Sequence, residues 1–334
     1  MAATKSGGTL MLRTLTVAAL SLAAMTGASA QDYPSKAVTI MMPYAAGGPG
    51  DTITRIIGAG MTKVLGKQFL VENVGGAGGT IGSLKVAQAT PGDGHYLLIM
   101  HFGHAANSAL YANLRYDPVT DFEHIGMFAQ SPMAIVAKKD FPAKDFKEFV
   151  AYIKANASKI VHGHAGLGSA SHMCGLAFLQ AVDLKVTTVP YKGTAPALND
   201  LIGGQFDFMC DQTVNIAQPI KSGLIKGYAV PTKTRLPVLP DLPTTGEMGM
   251  PNVQMDVWYG MWAPKGTPKP IVDKLSAALR DTLKDPDVKG RLTSMGAEIS
   301  GDELVNSTVL RAQVVKEVVR WKETISKAGV TATQ

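Results

Sequence analysis

The chain has 334 residues, of which 46% are hydrophobic, and its 32 Lys and Arg against 26 Asp and Glu give a formal net charge of +6. This composition is typical of a globular protein and excludes an extensively disordered chain. The basic residues are scattered in runs of at most two, which excludes a nucleic-acid-binding patch.

The first predicted element is a secretory signal over residues 1–30. Its parts are a positive region with Lys5 and Arg13, an apolar region over Leu15–Met25 and the cleavage site Ala28-Ser29-Ala30. We therefore expect export and a mature chain that begins near Gln31, without a lipid anchor because residue 31 is not Cys. Loss of Lys5 and Arg13 lowers the formal charge from +6 to +4. Translation can start at Met1 or at Met11, since residues 11–30 by themselves form a complete signal.

After the signal, short apolar strands alternate with amphipathic helices, a pattern typical of α/β proteins with parallel sheets. The predicted strands cover residues 37–42, 69–72, 96–100, 134–138, 160–164, 185–190, 206–211 and 257–263. The predicted helices cover residues 53–65, 79–88, 146–155, 172–182, 195–202, 271–284, 286–295 and 305–328.

A mature chain of about 300 residues exceeds the usual size of a domain with one hydrophobic core, so we expect two domains. Residues 31–131 and 252–334 are predicted to form lobe 1, and residues 132–251 to form lobe 2. The chain then crosses twice between the lobes, near 129–132 and again within 228–254, and a cleft separates them. Ligands in such folds bind at the carboxyl ends of the strands.

The turn between the first strand and the first helix, residues 43–51, reads Pro-Tyr-Ala-Ala-Gly-Gly-Pro-Gly-Asp. Glycine allows a close approach of the backbone, and a helix start offers free N–H groups and a partial positive charge. An anion is therefore favoured there without a basic side chain. Asp51 is expected to cap the helix or to brace the turn. Taken alone, this segment is equally compatible with a tight turn that binds nothing.

A second turn of the same kind, Gly-Leu-Gly-Ser-Ala-Ser-His, occupies residues 166–172 in lobe 2. Two turns that can bind an anion, one in each lobe, favour a ligand that is bound between the lobes. Lys192 follows another strand and either adds a charge or caps its loop.

Five segments resemble one known family: residues 43–51, 71–73 with 75–79, 165–172, 189–197 and 201–211. Two motifs are specific in combination: Pro-Tyr-Lys-Gly-x-x-Pro-Ala from Pro190 and Gly-Gly-Gln-x-Asp from Gly203. Across residues 32–328 the chain is similar to the periplasmic solute-binding proteins of tripartite tricarboxylate transporters, the Bug-type receptors.

The resemblance implies an α/β, two-lobed type II periplasmic-binding fold with a ligand cleft between the lobes. It implies a periplasmic receptor that closes on a small carboxylate: a dicarboxylate or tricarboxylate, an aromatic carboxylate or an acidic amino acid. It also implies delivery to a transporter with one small and one large membrane subunit. We expect a monomer, no cofactor and no metal. The sequence does not select one carboxylate.

The expected ligand-binding residues are those of the two turns together with candidates for the far end of the pocket. They are Tyr44, Ala45, Ala46, Gly47, Gly48, Asp51, Gly78, His101, Gly166, Gly168, Ser169, Ser171, His172, Tyr191, Lys192, Asp211 and Thr213. The candidates for the far end are residues 101–104, Tyr191, residues 211–213 and residues 258–259. Tyr44 stands where Phe is usual in the family, and Ala165 and Leu167 where small polar residues are frequent, which predicts a more apolar pocket.

Other functions are less favoured but open. Several histidines suggest a metal receptor, but no carboxylate accompanies them in the sequence. The chain has no Gly-x-Ser-x-Gly elbow and no Walker loop, and residues 76–82 miss the dinucleotide-binding spacing by one residue. We therefore expect a binding protein and not an enzyme, although a hydrolase with a triad adjacent only in space stays an alternative. A ligand sensor for a histidine kinase is also open.

The two cysteines of the chain are Cys174 and Cys210. A flavodoxin-like strand order in lobe 2 would bring their sulfur atoms within disulfide reach. The sequence leaves both states open, and we favour a free, buried pair.

Overall fold

The structure is a computed structural model and describes residues 33–90 and 92–328. The predicted signal and Gln31 lie outside these residues. The strands are β1 Val38–Met42, β2 Phe69–Asn73, β3 Tyr96–His101, β4 Phe122–Lys138, β5 Val161–His164, β6 Thr187–Pro190, β7 Phe208–Gln212, β8 Ile225–Ala229, β9 Asp256–Pro264 and β10 Glu298–Ile299. The α-helices are α1 Pro49–Leu65, α2 Thr80–Ala87, α3 Gly103–Leu110, α4 Phe146–Ala155, α5 Ala170–Ala181, α6 Thr194–Ile202, α7 Thr213–Lys221, α8 Lys269–Lys284, α9 Pro286–Ser294 and α10 Ser307–Ala328. None of these helices is long and apolar enough to cross a membrane.

Helix α1 shows how local sequence sets the elements near the first turn. It starts at Pro49, where the missing N–H of proline costs no helical hydrogen bond, and ends at Gly66 in the left-handed conformation with φ 72°. Ile53, Ile57 and Met61 recur at helical spacing and are fully buried. The prediction from apolar spacing began four residues late because the first turn of the helix consists of Pro, Gly, Asp and Thr.

The strands form one mixed sheet in the order β2-β1-β3-β9-β4-β7-β5-β6, in which β8 and β10 also pair with β4. Strand β4 pairs antiparallel with β9 up to Pro132, and antiparallel with β7 from Met133 onward. It therefore belongs to both lobes and is the first crossing between them. The two-lobed α/β fold was predicted correctly, whereas the residue boundaries of the lobes stay a prediction.

The expectation of parallel sheets holds only at the two edges. Strand β1 is parallel to β2 and β3, and β5 is parallel to β6 and β7. The centre is antiparallel because the chain leaves lobe 1 along β4 and returns along β9 in the opposite direction. Phe128, Tyr259 and Trp262 on these two strands are among the largest fully buried side chains, so the crossing strands also form the centre of the core.

Cys174 of α5 and Cys210 of β7 are joined by a disulfide, with their Cα atoms 5.9 Å apart. The favoured expectation of a free pair was therefore wrong. The strand order behind the alternative was right, because β5 pairs with β7 at His162 and Phe208 and this brings the start of α5 next to β7. The disulfide fixes α5 to β7.

Candidate functional site

A cavity lies between the lobes, where strand ends meet helix starts. Its lining consists of Tyr44, Ala45, Gly48, Pro49, Gly50, Asp51, His101, Ala165, Ser169, Ala170, Ser171, Thr194, Gln212 and Tyr259. Both lobes contribute to it. Its free space is ≈ 20 Å³, which is enough for about one water molecule, because the lobes meet around it.

Four helix starts converge on this cavity. They are Gly48 and Pro49 at α1, Ser169 and Ala170 at α5, Thr194 at α6, and Gln212 immediately before α7. The first N–H groups of a helix lack intrahelical partners, and the helix dipole places a partial positive charge there. Among the described residues, no Lys or Arg lines the cavity. The partial positive charges at its wall are therefore those of the helix starts.

Asp51 braces the first turn. Its Oδ2 accepts hydrogen bonds from the Gly47 N–H at 2.9 Å and Arg55 Nε at 3.0 Å, and its Oδ1 accepts one from Asn73 Nδ2 at 3.0 Å. Burial alone would raise the pKa of this carboxyl, but the bonds from Arg55, Gly47 and Asn73 hold it below the ordinary value. Gly48, and not Asp51, is the N-cap residue. Of the two predicted roles, the structure therefore favours the brace.

Tyr44 and His101 form one wall of the cavity. The Tyr44 ring stacks on the His101 imidazole with centroids 5.3 Å apart, and its hydroxyl donates to the Gly78 carbonyl at 2.9 Å. His101 Nδ1 accepts from the Gly103 N–H at 2.9 Å, which assigns its proton to Nε2. Burial lowers the pKa of His101 to about 3, so the imidazole is a neutral donor at the cavity.

The second turn is held in shape by two imidazoles. Gly166 and Gly168 have φ values of 102° and 81°, and their N–H groups donate to His164 Nδ1 at 3.2 Å and His172 Nδ1 at 3.3 Å. Burial lowers the pKa of His164 to about 4 and that of His172 to about 3, so both rings are neutral acceptors. Ser169 Oγ accepts from the His172 N–H at 3.1 Å and caps α5. Sequence pattern gave no sign of this use of histidine.

Ser171 lines the cavity in the first turn of α5, and its hydroxyl is buried without a hydrogen-bond partner among the described residues. A buried hydroxyl without a partner costs free energy. A polar ligand atom in the cavity would remove that cost.

The far wall is formed by Gln212 and Tyr259, whose hydroxyl donates to Gln212 Oε1 at 2.9 Å. Asp211 lies behind this wall, fully buried, with Oδ2 accepting from Asn215 Nδ2 at 2.6 Å. Burial raises the pKa of Asp211 to about 7. Thr213 Oγ1 donates to the Gly296 carbonyl at 3.2 Å and is also outside the lining.

The expected residues therefore divide into two groups. Those that line the cavity are Tyr44, Ala45, Gly48, Asp51, His101, Ser169 and Ser171. Those that lie outside the lining are Ala46, Gly47, Gly78, Gly166, Gly168, His172, Tyr191, Lys192, Asp211 and Thr213. Tyr191 donates its hydroxyl to Asp200 Oδ2 at 2.7 Å, and Lys192 uses its carbonyl, not its ammonium, to contact lobe 1.

Thr194 is a lining residue that the sequence reasoning missed. It begins α6 directly after Pro-Tyr-Lys-Gly, so it occupies the same kind of position as the lining residues at the starts of α1 and α5. That helix-start position was the signal that would have found it.

Three buried imidazoles lie in a row behind the second turn. The ring centroids of His162 and His164 are 5.7 Å apart, and those of His164 and His172 are 4.6 Å apart. Within residues 33–90 and 92–328, no group of three or more His, Cys, Asp or Glu side chains is placed to hold a metal ion.

Comparison with known proteins gives one consistent result. The family model described as "Tripartite tricarboxylate transporter family receptor" matches residues 53–330. The structure of the periplasmic binding protein BugD is 48% identical, with a TM-score of 0.88, over 90% of this chain and 100% of that one. MatC from Rhodopseudomonas palustris with bound malate is 41% identical, with a TM-score of 0.84, over 88% and 100% of the chains. Another R. palustris protein, with adipate, is 30% identical, with a TM-score of 0.85, over 90% and 100%.

Proposed function

The chain belongs to the tripartite tricarboxylate transporter receptor family, and from this premise we propose that it binds a small dicarboxylate between its lobes and delivers it to a membrane transporter. Members of this family are solute-binding receptors. The finer proposal concerns the ligand class, the binding residues and the partner. The single observation that carries it is the convergence of four helix starts on a cavity without basic side chains.

One carboxylate group is proposed to bind between the starts of α1 and α5. The backbone N–H groups there and the Ser171 hydroxyl supply donors from both lobes, and charge-assisted bonds of this kind are stronger than neutral ones. Asp51 keeps the α1 turn in shape while its own charge is satisfied by Arg55 and Asn73.

The second carboxylate group is proposed to reach the far wall. The Nε2–H of His101 and the side-chain NH2 of Gln212 are donors there, and the Tyr259 hydroxyl, which donates to Gln212 Oε1, holds that amide in place. Malate and adipate, which the two R. palustris proteins hold, are both small dicarboxylates and differ in length.

Binding is proposed to proceed by lobe closure, with residues 31–131 and 252–334 moving against residues 132–251. The ligand meets one lobe first, and the other lobe then closes over it to a wider separation than in this structure, because the cavity of ≈ 20 Å³ holds only about one water molecule. Because the ligand contacts both lobes only when they are together, its binding free energy favours the closed form. The closed form would be recognised by one small and one large membrane subunit at the periplasmic face of the membrane. No cofactor and no catalytic step are part of this proposal.

A thermal-shift screen tests the ligand class. The panel contains malate, adipate, a tricarboxylate, an aromatic carboxylate, glutamate and the diamides of the dicarboxylates as neutral controls. A ligand at 100 times its Kd stabilises the protein by about 2.7 kcal/mol, which gives a clear rise in Tm. We expect a rise with dicarboxylates and none with diamides. A rise with divalent metals alone would overturn the proposal, and a rise with glutamate or the aromatic acid alone would move the ligand to that class.

A further inference from the structure

The disulfide between Cys174 and Cys210 joins two elements that both reach the cavity between the lobes. Helix α5 contributes Ala170 and Ser171 to the lining, and the end of β7 contributes Gln212. Cys174 lies one helical turn after Ala170, which is about 6 Å along the helix axis. Cys210 lies two residues before Gln212, which is about 7 Å along the strand. The bond therefore ties the two elements together at a similar depth on each side.

The two cysteines point in the same directions as the lining residues of their own elements. Alternate residues of a strand share one face, so Cys210 and Gln212 lie on the same face of β7. Residues three and four apart share one face of a helix, so Cys174 lies on the same side of α5 as Ser171 and Ala170. Both cysteines are 1% exposed. The disulfide therefore continues, in the interior, the two faces that line the cavity.

The β-ladder does not hold these elements together at the cavity end. Strand β5, which leads through the second turn into α5, pairs with β7 only at His162 and Phe208. The two strands continue to His164 and Gln212 without a further paired position. Among the described residues, no hydrogen bond connects α5 with β7. The ring contact of Phe178 with Phe208, at 6.1 Å, lies deeper than the disulfide, so the disulfide is the bond nearest to the cavity.

The disulfide thus connects the two groups that are proposed to bind opposite ends of the ligand. The Ser171 hydroxyl is assigned to one carboxylate and the Gln212 amide to the other, which rests on the proposed function. We propose that the Cys174–Cys210 disulfide is a positioning element for ligand length, because it fixes the separation of these two donors. A diacid whose carboxylates match this separation bonds to both donors. A shorter or longer diacid loses one of these bonds or displaces an element that is covalently fixed.

Loss of the disulfide should therefore change selectivity as well as affinity. Without it, the cavity ends of α5 and β7 are held only by the deeper packing of Phe178 on Phe208, and the separation of the donors adapts to the ligand. Ordering these groups on binding costs free energy, so the affinity for the best-matched diacid falls. The affinity for poorly matched diacids falls less or rises, because they no longer work against a fixed separation.

Calorimetric titration of the mature chain with succinate, glutarate and adipate tests this proposal, since these diacids differ only in length. The titrations are done at a temperature at which circular dichroism shows every variant to be folded. We expect the oxidised wild type to discriminate between the best and the worst diacid by roughly tenfold or more. Cys174→Ala/Cys210→Ala should reduce this ratio by roughly threefold or more. Cys174→Ala/Cys210→Val, which refills part of the lost volume, serves if the first variant does not fold.

Ile153→Ala on α4 is the matched control. Ile153 is fully buried in the same lobe and lies outside the lining, so its truncation should lower the urea midpoint by a comparable amount and leave the ratio unchanged. An unchanged ratio in the folded cysteine variants, an equal change in Ile153→Ala, or a wild type that does not discriminate by length would overturn the proposal.

Hydrogen exchange separates this proposal from the proposed function. The Met173 N–H donates to the Ser169 carbonyl in the first turn of α5. We expect it to exchange roughly tenfold faster in the cysteine variants than in Ile153→Ala, because the start of α5 is no longer fixed to β7. If no diacid binds to the wild type, the proposed function fails and this comparison alone decides whether the disulfide positions α5. Equal exchange in the cysteine variants and Ile153→Ala would overturn that role.

Discussion

The Ala45 N–H donates to the Lys192 carbonyl at 3.2 Å, and this bond joins the turn before α1 in lobe 1 to the turn before α6 in lobe 2. A second bond between the lobes runs from the Tyr111 hydroxyl to the Leu167 carbonyl at 3.0 Å. In both of these bonds the acceptor is a backbone carbonyl, so contact between the turns depends on how closely the two backbones approach. That dependence makes glycine the critical residue type at the contact.

Gly78→Ala should impair closure. A Cβ atom at Gly78 would lie 2.1 Å from the Leu167 carbonyl oxygen, and the residue has φ 60°. The lobes must stay further apart to accommodate it, so we expect dicarboxylate affinity to fall by roughly tenfold or more in calorimetric titration. Gly66→Ala is the matched control: its φ is 72° and nothing lies within 4 Å, so it carries the same backbone strain without the clash. Equal affinities of the two variants would contradict the proposed contact.

Ser171→Ala and Ser169→Ala should separate ligand binding from stability. Removing the Ser171 hydroxyl, which has no partner among the described residues, should leave the stability of the free protein unchanged or slightly higher and weaken ligand binding about three- to tenfold. Removing the Ser169 cap should cost about 1 kcal/mol of stability. Urea unfolding and calorimetry measure the two effects. If Ser171→Ala binds as tightly as the wild type, the hydroxyl does not contact the ligand.

Stability should fall as the pH is lowered from about 6.5 towards 4. Burial lowers the pKa of His101, His104, His124, His162, His164 and His172 below 6.5. These imidazoles stay neutral in the folded protein, whereas the unfolded chain takes up protons below pH 6.5, so protonation favours unfolding. The measurement is the urea midpoint at a series of pH values. A constant or rising midpoint would contradict the burial of these rings as neutral groups.

The buried carboxyl of Asp211 should change stability with pH in the opposite direction. Its pKa is raised from 3.8 to about 7, so its contribution to stability is largest below pH 3.8 and is lost as the pH rises towards 7. Asp211→Asn mimics the protonated form. We expect this variant to be more stable than the wild type at pH 8, with the difference shrinking as the pH falls to 4.

Loss of the Cys174–Cys210 disulfide should destabilise lobe 2. The bond closes a loop with a sequence separation of 36, for which chain-entropy models give about 3–4 kcal/mol. We expect the Cys174→Ala/Cys210→Ala variant to unfold at lower urea than the oxidised wild type. Alkylation of unreduced protein followed by mass spectrometry should label neither cysteine; two labelled thiols would contradict the disulfide.

The sequence predicted those parts of the site that a single short segment forms. The turn before α1 and the turn before α5 each carry glycines at a strand-to-helix junction, and both reach the cavity. Gln212 and Tyr259 were expected at the far end of the pocket and line the cavity, but Thr194 was not, and the contacts of these residues across the cleft were not predictable in this way. Thr194, Gln212 and Tyr259 come together with these turns only through lobe closure and the pairing of β9 with β3 and β4.

The long strand β4 was predicted only over residues 134–138. Pro132 interrupts its pattern, and proline is normally excluded from a central strand because it donates no ladder hydrogen bond. The structure tolerates Pro132 at the point where pairing passes from β9 to β7. Helices α3 and α7 were missed because each follows a strand directly, without a linker that marks its start.

Calorimetric titration of malate and its neutral diamide into the wild type and Gly48→Val tests the central claim most directly. Gly48 has ordinary φ, and a Cβ atom there would lie 3.1 Å from Thr194 Oγ1, so valine fills the gap between the starts of α1 and α6 without backbone strain. We predict that the wild type binds malate and not the diamide, and that Gly48→Val lowers malate affinity by roughly tenfold or more with little change in Tm. Unchanged malate affinity in Gly48→Val, or equal binding of malate and diamide by the wild type, would contradict capture of a carboxylate by helix starts.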